Sequence, residues 1–561
     1  MHVHRIRSAL TAWFGRLVAS FSVASTALGL LFFSASLTPS LLPRPPILQG
    51  ILGGVSLIVG YAIAKATIAV WRFMQLRELN STNARRVSLV LLVITGLVSA
   101  LTLSRMTVWQ NSIRDRMHMS GVDSSYPFSV LTTAIVVATV LLLVARAIGF
   151  LIHSVSNRLK KVMPPRVALV VSTVVLSFMI ISLVDGLIVK TALHAADEAF
   201  ASIDQATYDE LSQPERSMAS GSPDSLIRWS DIGRNGKIFV AEGPTAEDIS
   251  ILTGRPAKTP IRVYAGYNTE DSLARRAKVA LDELIRVGGF ERRVLVVATP
   301  TGTGWLDPSS VDPLDYLHDG DIATVSMQYS YLPSWLTIMI DPDRSRDAAK
   351  ALFREVHSHW SSLDKADRPK LYVFGLSLGS LGTEAAFDFY DLIGDPIDGA
   401  VLSGPPFPST IWPELVRNRQ SETPAWLPQF RGGDLVRFMS REAVAVPAGA
   451  KWGVMRIMYI QHGSDPMSWF SPSLAYREPD WLTSEKAPDV SPYFRWFPVV
   501  TFLQVGFDVP MATAAPLGYA HNYSPAEYID AWIEVTAPEA WTDDDTKALK
   551  AAYADFNPAP I

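Results

Sequence analysis

From Leu17 to Val189 the chain is written in long apolar runs broken by short polar loops, and beyond Lys190 it reads as a folded globular protein. A helix needs about 20 apolar residues to cross a bilayer. Five runs are of that order: Leu17–Leu37, Ile47–Val70, Val87–Leu103, Phe128–Ile152 and Val167–Val189. The first follows Arg5, Arg7 and Arg16 as a secretory signal would, but its apolar stretch is longer than a signal's, so it reads as a span. Lys and Arg are distributed unevenly among the loops. Arg5, Arg7, Arg16, Arg72, Arg77, Arg85, Arg86, Arg158, Lys160, Lys161 and Arg166 fall on one side, against Arg44, Arg105, Arg114 and Arg116 on the other. Cation-rich loops stay in the cytoplasm. With five crossings the C-terminal half is expected on the extracytoplasmic side, and the lipid bilayer is the partner this half implies.

The chain organises into a multi-pass transmembrane domain at 1–190, a polar juxtamembrane neck at 191–260, and a third region at 261–561 in which strands alternate with helices. That alternation predicts a mostly parallel sheet with helices on both faces. Ile261–Tyr264 and the helix Thr269–Arg286 open the region, and they leave the sheet's first edge undetermined. Val294–Ala298 is continuously apolar, as a strand covered on both faces must be, and Ala323–Tyr329 is a second such strand. Asp341-Pro342 opens a helix that turns Ala349, Leu352, Phe353, Val356 and Trp360 to one face and leaves His357 and His359 on its surface. Leu371–Phe374 is the next strand and runs directly into Gly375-Leu376-Ser377-Leu378-Gly379.

Composition narrows the chemistry before any motif does. The net charge of -4, with acids and bases nearly balanced, gives no reason to expect nucleic acid as a partner. The absence of cysteine removes disulfides, thiolate metal sites and Cys nucleophiles. What remains is a serine constellation that calls for neither metal nor cofactor. In the pattern G-x-S-x-G, small residues (here Gly375 and Gly379) let the backbone fold tightly enough to present Ser377 on a sharp strand-to-helix turn. An acid belongs after a later strand, and Asp465 follows Val454–Gln461 in a glycine-containing turn. A histidine belongs later still, and His521 is the one histidine beyond that acid, just ahead of a helix capped by Ser524 with Pro525 and Glu527 behind it. His462 competes for the same role from within the acid's own turn. An oxyanion formed at Ser377 needs two backbone donors: Leu378, next to the nucleophile, and Thr301 or Gly302 in the glycine-rich loop after Val294–Ala298. A stretch at about 405–450, rich in Pro, Trp and Arg, is expected to form a lid. Trp305, Phe407, Trp412, Trp426 and Trp469 are the candidate substrate contacts, which favours an apolar acyl ester.

Four motifs together carry a resemblance: Leu37-Thr38-Pro39-Ser40-Leu41-Leu42-Pro43-Arg44, Thr299-Pro300-Thr301-Gly302-Thr303-Gly304-Trp305, Gln328-Tyr329-Ser330-Tyr331-Leu332-Pro333-Ser334-Trp335 and Phe374-Gly375-Leu376-Ser377-Leu378-Gly379-Ser380. Over nearly its whole length the chain resembles bacterial membrane-embedded α/β-hydrolases with a multi-span N-terminal domain. The resemblance implies a helical transmembrane bundle followed by an α/β-hydrolase domain, a serine nucleophile and residence in the bacterial inner membrane. It does not name a substrate. A lipid-like or envelope acyl ester fits the aromatic stretches. An acyltransferase would use the same three residues, and a scaffold or transporter with an inactive hydrolase domain is the rival from another class.

Overall fold

The structure, a computed structural model, describes the chain apart from residues 1–21, 78–80, 184–185, 187–189, 206–210, 387–393, 442, 484 and 557–561. The chain forms two compact units. One is Met1–Leu187 with Pro472–Leu482 and Val490–Asp508. The other is Ile188–Ser471 with Thr483–Asp489 and Val509–Ile561.

The first unit contains helices α1 (Val23–Ser36), α2 (Pro46–Phe73), α3 (Ser81–Arg116), α4 (Pro127–Leu159) and α5 (Pro165–Leu183). Among the described residues, α2 to α5 are long and apolar enough to cross a membrane. At 14 residues α1 is shorter than a span needs. The beginning of the first expected crossing, before Ser22, lies outside the described residues, as does Val189, the expected end of the fifth. Proline starts α2, α4 and α5, where its missing N–H costs nothing. Of the four long helices α2 is the innermost, and glycines make that possible. A Cβ on Gly60 would press on the Phe32 ring of α1 and one on Gly54 on the Ala134 carbonyl of α4, each at 2.7 Å. The other faces present Phe128, Phe150 and Phe178 outward, as lipid-facing helices do. At 36 residues, α3 is about 54 Å long and exceeds a bilayer's hydrocarbon thickness. Its distal end is covered by protein: Gln110 and Ile113 are buried, and Ser112 Oγ lies 2.7 Å from Ser491 Oγ.

The second unit is built on an eight-stranded sheet: β1 (Ile261–Ala265), β2 (Val294–Thr299), β3 (Ile322–Met327), β4 (Lys370–Leu376), β5 (Gly399–Ser403), β6 (Val436–Ser440), β7 (Ala443–Ala445) and β8 (Arg456–Ile460). Their order is β1-β3-β2-β4-β5-β8-β6-β7, parallel throughout except where β6 meets β7. The first edge is therefore a parallel strand, β1 paired to β3. Every residue of β1, β2 and β3 is buried, which explains their largely apolar character; the exception in β1, Arg262, is paired with Asp312 and Asp315. From β2 the chain steps to one side for β3 and to the other for β4. This reversal opens a crevice at the strands' C-terminal ends, the usual place for a site in such a sheet.

Three expectations need correction. The 405–450 stretch is not all lid, since β6 and β7 complete the sheet edge, with Val436 to Met439 in parallel register with Ile457 to Ile460. The helix expected from Asp341-Pro342 begins at Asp343, with Pro342 at its N-cap. His357 is buried rather than on the surface, because its ring stacks on Phe353 one turn earlier and its Nε2 lies 2.9 Å from the Asp395 carbonyl. The described residues of the neck, 191–260, belong to this unit, and tight contacts hold them there: a Cβ on Gly236 would collide with the Tyr264 ring of β1, and one on Gly266 with the Asp231 carbonyl.

Candidate active site

β4 delivers Ser377 to the crevice. Its φ of 59° puts a non-glycine residue in the left-handed region, a conformation that persists only where the surroundings impose it. Here they do. A Cβ on Gly375 would collide with the Gly379 carbonyl group, and one on Gly379 with the carbonyl oxygen of Thr299, so both flanking positions exclude side chains. The Ser377 N–H donates to the Ser403 carbonyl at 3.0 Å, tying the turn to the end of β5. Leu378 opens the helix Leu378–Ala386, so its N–H is one of those a helix leaves without an internal acceptor.

Asp465 ends the turn after β8 and caps the short helix Pro466–Trp469. Its carboxyl is fully buried and well supplied with donors. Oδ1 accepts the Met467 N–H at 2.8 Å, and Oδ2 accepts the Tyr523 hydroxyl at 2.9 Å and the Ser468 hydroxyl at 3.2 Å. The same Oδ2 lies 2.6 Å from Nδ1 of His521. The His521 backbone N–H donates to the Ala512 carbonyl at 3.0 Å, which holds the loop behind the ring. Two buried polar atoms are then left without partners, His521 Nε2 and Ser377 Oγ. Both residues adjoin one dipeptide, because Ser403 receives the Ser377 N–H and a Cβ on Gly404 would come within 2.6 Å of His521 Cε1.

The remaining predicted residues are placed as follows. The Thr301 N–H donates to the Trp305 carbonyl at 3.0 Å, and the Gly302 N–H to Ser334 Oγ at 3.0 Å, so both already have acceptors. Trp412 and Trp469 are buried and pack edge-on against each other, with ring centroids 5.3 Å apart. Trp305, Phe407 and Trp426 are half-buried, with Phe407 edge-on to Phe470 at 4.9 Å. His462 has both ring nitrogens engaged, Nδ1 with the Ala520 carbonyl at 2.7 Å and Nε2 with Glu527 Oε1 at 2.6 Å. Among the described residues no group of three or more His, Asp or Glu could hold a metal ion. Tyr523, Ser468 and Gly404 were missed by the sequence reading. Of these only Tyr523, two residues past His521, left a local signal.

A parallel sheet whose central strand hands a serine to a helix through a left-handed turn, with a carboxylate-paired histidine arriving from a later loop, defines a domain of the α/β-hydrolase class. The chain belongs to the Alpha/beta-hydrolase family: that family's model matches residues 261–549, and a model of the Alpha/beta-hydrolase family N-terminus matches residues 37–244. No curated protein and no solved structure matches the chain.

Proposed function

We propose that the protein is a membrane-anchored serine hydrolase that cleaves acyl esters through Ser377, His521 and Asp465, with its catalytic domain on the extracytoplasmic side. The observation that carries this reading is the pairing of His521 Nδ1 with Asp465 at 2.6 Å, which leaves Nε2 buried and unpartnered, while Ser377 Oγ is equally unpartnered and both residues adjoin Ser403-Gly404. Nε2 takes the serine proton as Oγ bonds to the acyl carbon, and returns it to the departing alcohol. Water then repeats the sequence in reverse and releases the acid. Asp465 fixes the tautomer and stabilises the imidazolium while it lasts. The Leu378 N–H meets the oxyanion. Gly302 supplies the second donor by exchanging Ser334 Oγ for the oxyanion, which moves an existing hydrogen bond rather than creating one.

The membrane helices and the half-buried Trp305, Phe407 and Trp426 favour an acyl chain of lipid type. Each buried CH₂ contributes about 0.8 kcal/mol, or roughly fourfold in kcat/KM, if the chain enters apolar surroundings. Full-length protein in detergent should therefore prefer p-nitrophenyl esters of medium or long chain over acetate, with the activity absent in Ser377→Ala. A steady decline in kcat/KM from acetate upward would remove the lipid-like substrate and leave the hydrolase.

A further inference from the structure

A second histidine lies behind the proposed base, and the chemistry above does not use it. His462 is fully buried. Its Nδ1 faces a carbonyl, that of Ala520 at 2.7 Å, so this nitrogen carries a proton. Its Nε2 faces Glu527 Oε1 at 2.6 Å. The other oxygen of Glu527 accepts the Ser524 N–H at 2.7 Å and the Ser524 hydroxyl at 2.9 Å. Burial would raise the Glu527 pKa, but the His462 ring and the two Ser524 donors outweigh it and hold this carboxyl below its usual range, so it is the anion, Nε2 donates as well, and the ring is an imidazolium. Burial alone would lower its pKa, but the Glu527 carboxylate outweighs burial and pushes it up to about 9.

Each partner of this ring leads to one part of the proposed triad. His462 starts the turn that ends in Asp465, whose N–H donates to the His462 carbonyl at 3.3 Å. Ala520, the residue before His521, sits at φ 51°, a strained conformation for a residue with a side chain. Its N–H donates to Ser464 Oγ at 2.9 Å, so the peptide on either side of Ala520 is tied back to the acid's turn. Glu527 belongs to the first turn of the helix that follows His521. Tyr523 stacks on the His462 ring at 4.4 Å while its hydroxyl donates to Asp465.

We infer that His462 is a positioning residue: it braces the histidine loop and the following helix against the acid's turn, and through both of its ring N–H bonds it sets where His521 stands relative to Asp465 and Ser377. The inference rests on the triad reading above. Deprotonation leaves one ring N–H to serve two acceptors, so the brace has an alkaline limit. The charged and titratable groups around the ring are Glu527, Asp489, Asp465, His521 and Tyr523, together with Tyr519, whose ring lies under Arg441.

The test compares wild type, Glu527→Gln and the double variant His462→Leu/Glu527→Gln, as full-length protein in detergent with a p-nitrophenyl ester. The double variant removes the brace without stranding a buried carboxylate. Its kcat should fall on the order of 10- to 100-fold with KM within about twofold, the pattern expected of misplaced catalytic groups. In wild type kcat should decline above about pH 9, and that limb should be missing in Glu527→Gln, whose His462 is neutral throughout. A folded double variant with wild-type kcat, or an alkaline limb at the same pH in wild type and Glu527→Gln, overturns the brace. Should the double variant not fold, the Glu527→Gln profile decides alone. His521→Ala is run in parallel, because wild-type activity there would remove the triad reading itself and not only the brace.

Discussion

Arg44 and Asp508 form an ion pair at 2.8 Å with both side chains essentially removed from solvent, although 464 positions separate them in the chain. The pair is the centre of a buried polar cluster in the first unit. Asp508 Oδ2 accepts the Ser40 hydroxyl at 2.6 Å and the Leu41 N–H at 3.2 Å. Arg44 donates to the Gln504 carbonyl at 2.8 Å and to Gln49 at 3.2 Å, and its backbone N–H donates to Gln110 at 3.0 Å. This gives the Leu37–Arg44 motif a physical role: it receives the helix Val500–Asp508, a piece of the C-terminal half that folds with the membrane helices.

Breaking such a pair from one side strands a buried charge, at a cost of about 3–5 kcal/mol, whereas replacing both partners by apolar groups costs far less. Arg44→Met should therefore lower the melting temperature in detergent sharply, and Arg44→Met/Asp508→Leu should recover most of the loss. Equal melting temperatures for wild type and Arg44→Met would contradict the assignment.

Glu384, on the helix after Ser377, predicts a pH dependence of stability. It accepts the Ile411 and Trp412 N–H groups, both at 3.2 Å, and the Tyr459 hydroxyl at 3.0 Å. Burial outweighs these donors and pushes its pKa up to about 7, against about 4.3 in an unfolded chain. Between those values the folded state holds a proton that the unfolded state has released. The group's contribution is thus complete below about pH 4 and is lost as pH rises through about 7, roughly 4 kcal/mol in all. Wild type should lose stability relative to Glu384→Gln from pH 4 to pH 8. A difference that does not vary with pH would sink this reading.

The orientation in the membrane is tested by fusions. The bias of Lys and Arg toward one set of loops predicts that a phosphatase reporter joined after Gln213 is active and one joined after Asn80 is inactive. The reverse pattern would invert the topology.

Much of the second unit was legible because its signals are local. Gly375 to Gly379 encode the turn that holds Ser377 within five residues, and Ser524, Pro525 and Glu527 announce the helix behind His521. What could not be read depends on partners distant in the chain. Trp481 and Phe494 belong to an aromatic-rich stretch that follows Asp465 in sequence, yet they pack against each other in the unit that holds the membrane helices. Aromatic periodicity gives a buried face but not the core that face joins. In the same way Val436–Ser440 has the composition of a strand, but only its pairing with β8 sets it apart from a lid. His462 and His521 were separable by chain order alone. The different roles proposed for them rest on what their ring nitrogens touch, which no spacing encodes.

The central claim is that Ser377 and His521 act as one catalytic unit, and a double-mutant comparison of ester hydrolysis tests it most directly. Members of a working triad are grossly non-additive, because the proton transfer fails once either is gone. Ser377→Ala and His521→Ala should each lower kcat by about 10⁴-fold or more, and the double variant should be no slower than the worse single one. Retention of wild-type kcat in folded His521→Ala, or losses that multiply in the double variant, would contradict the account.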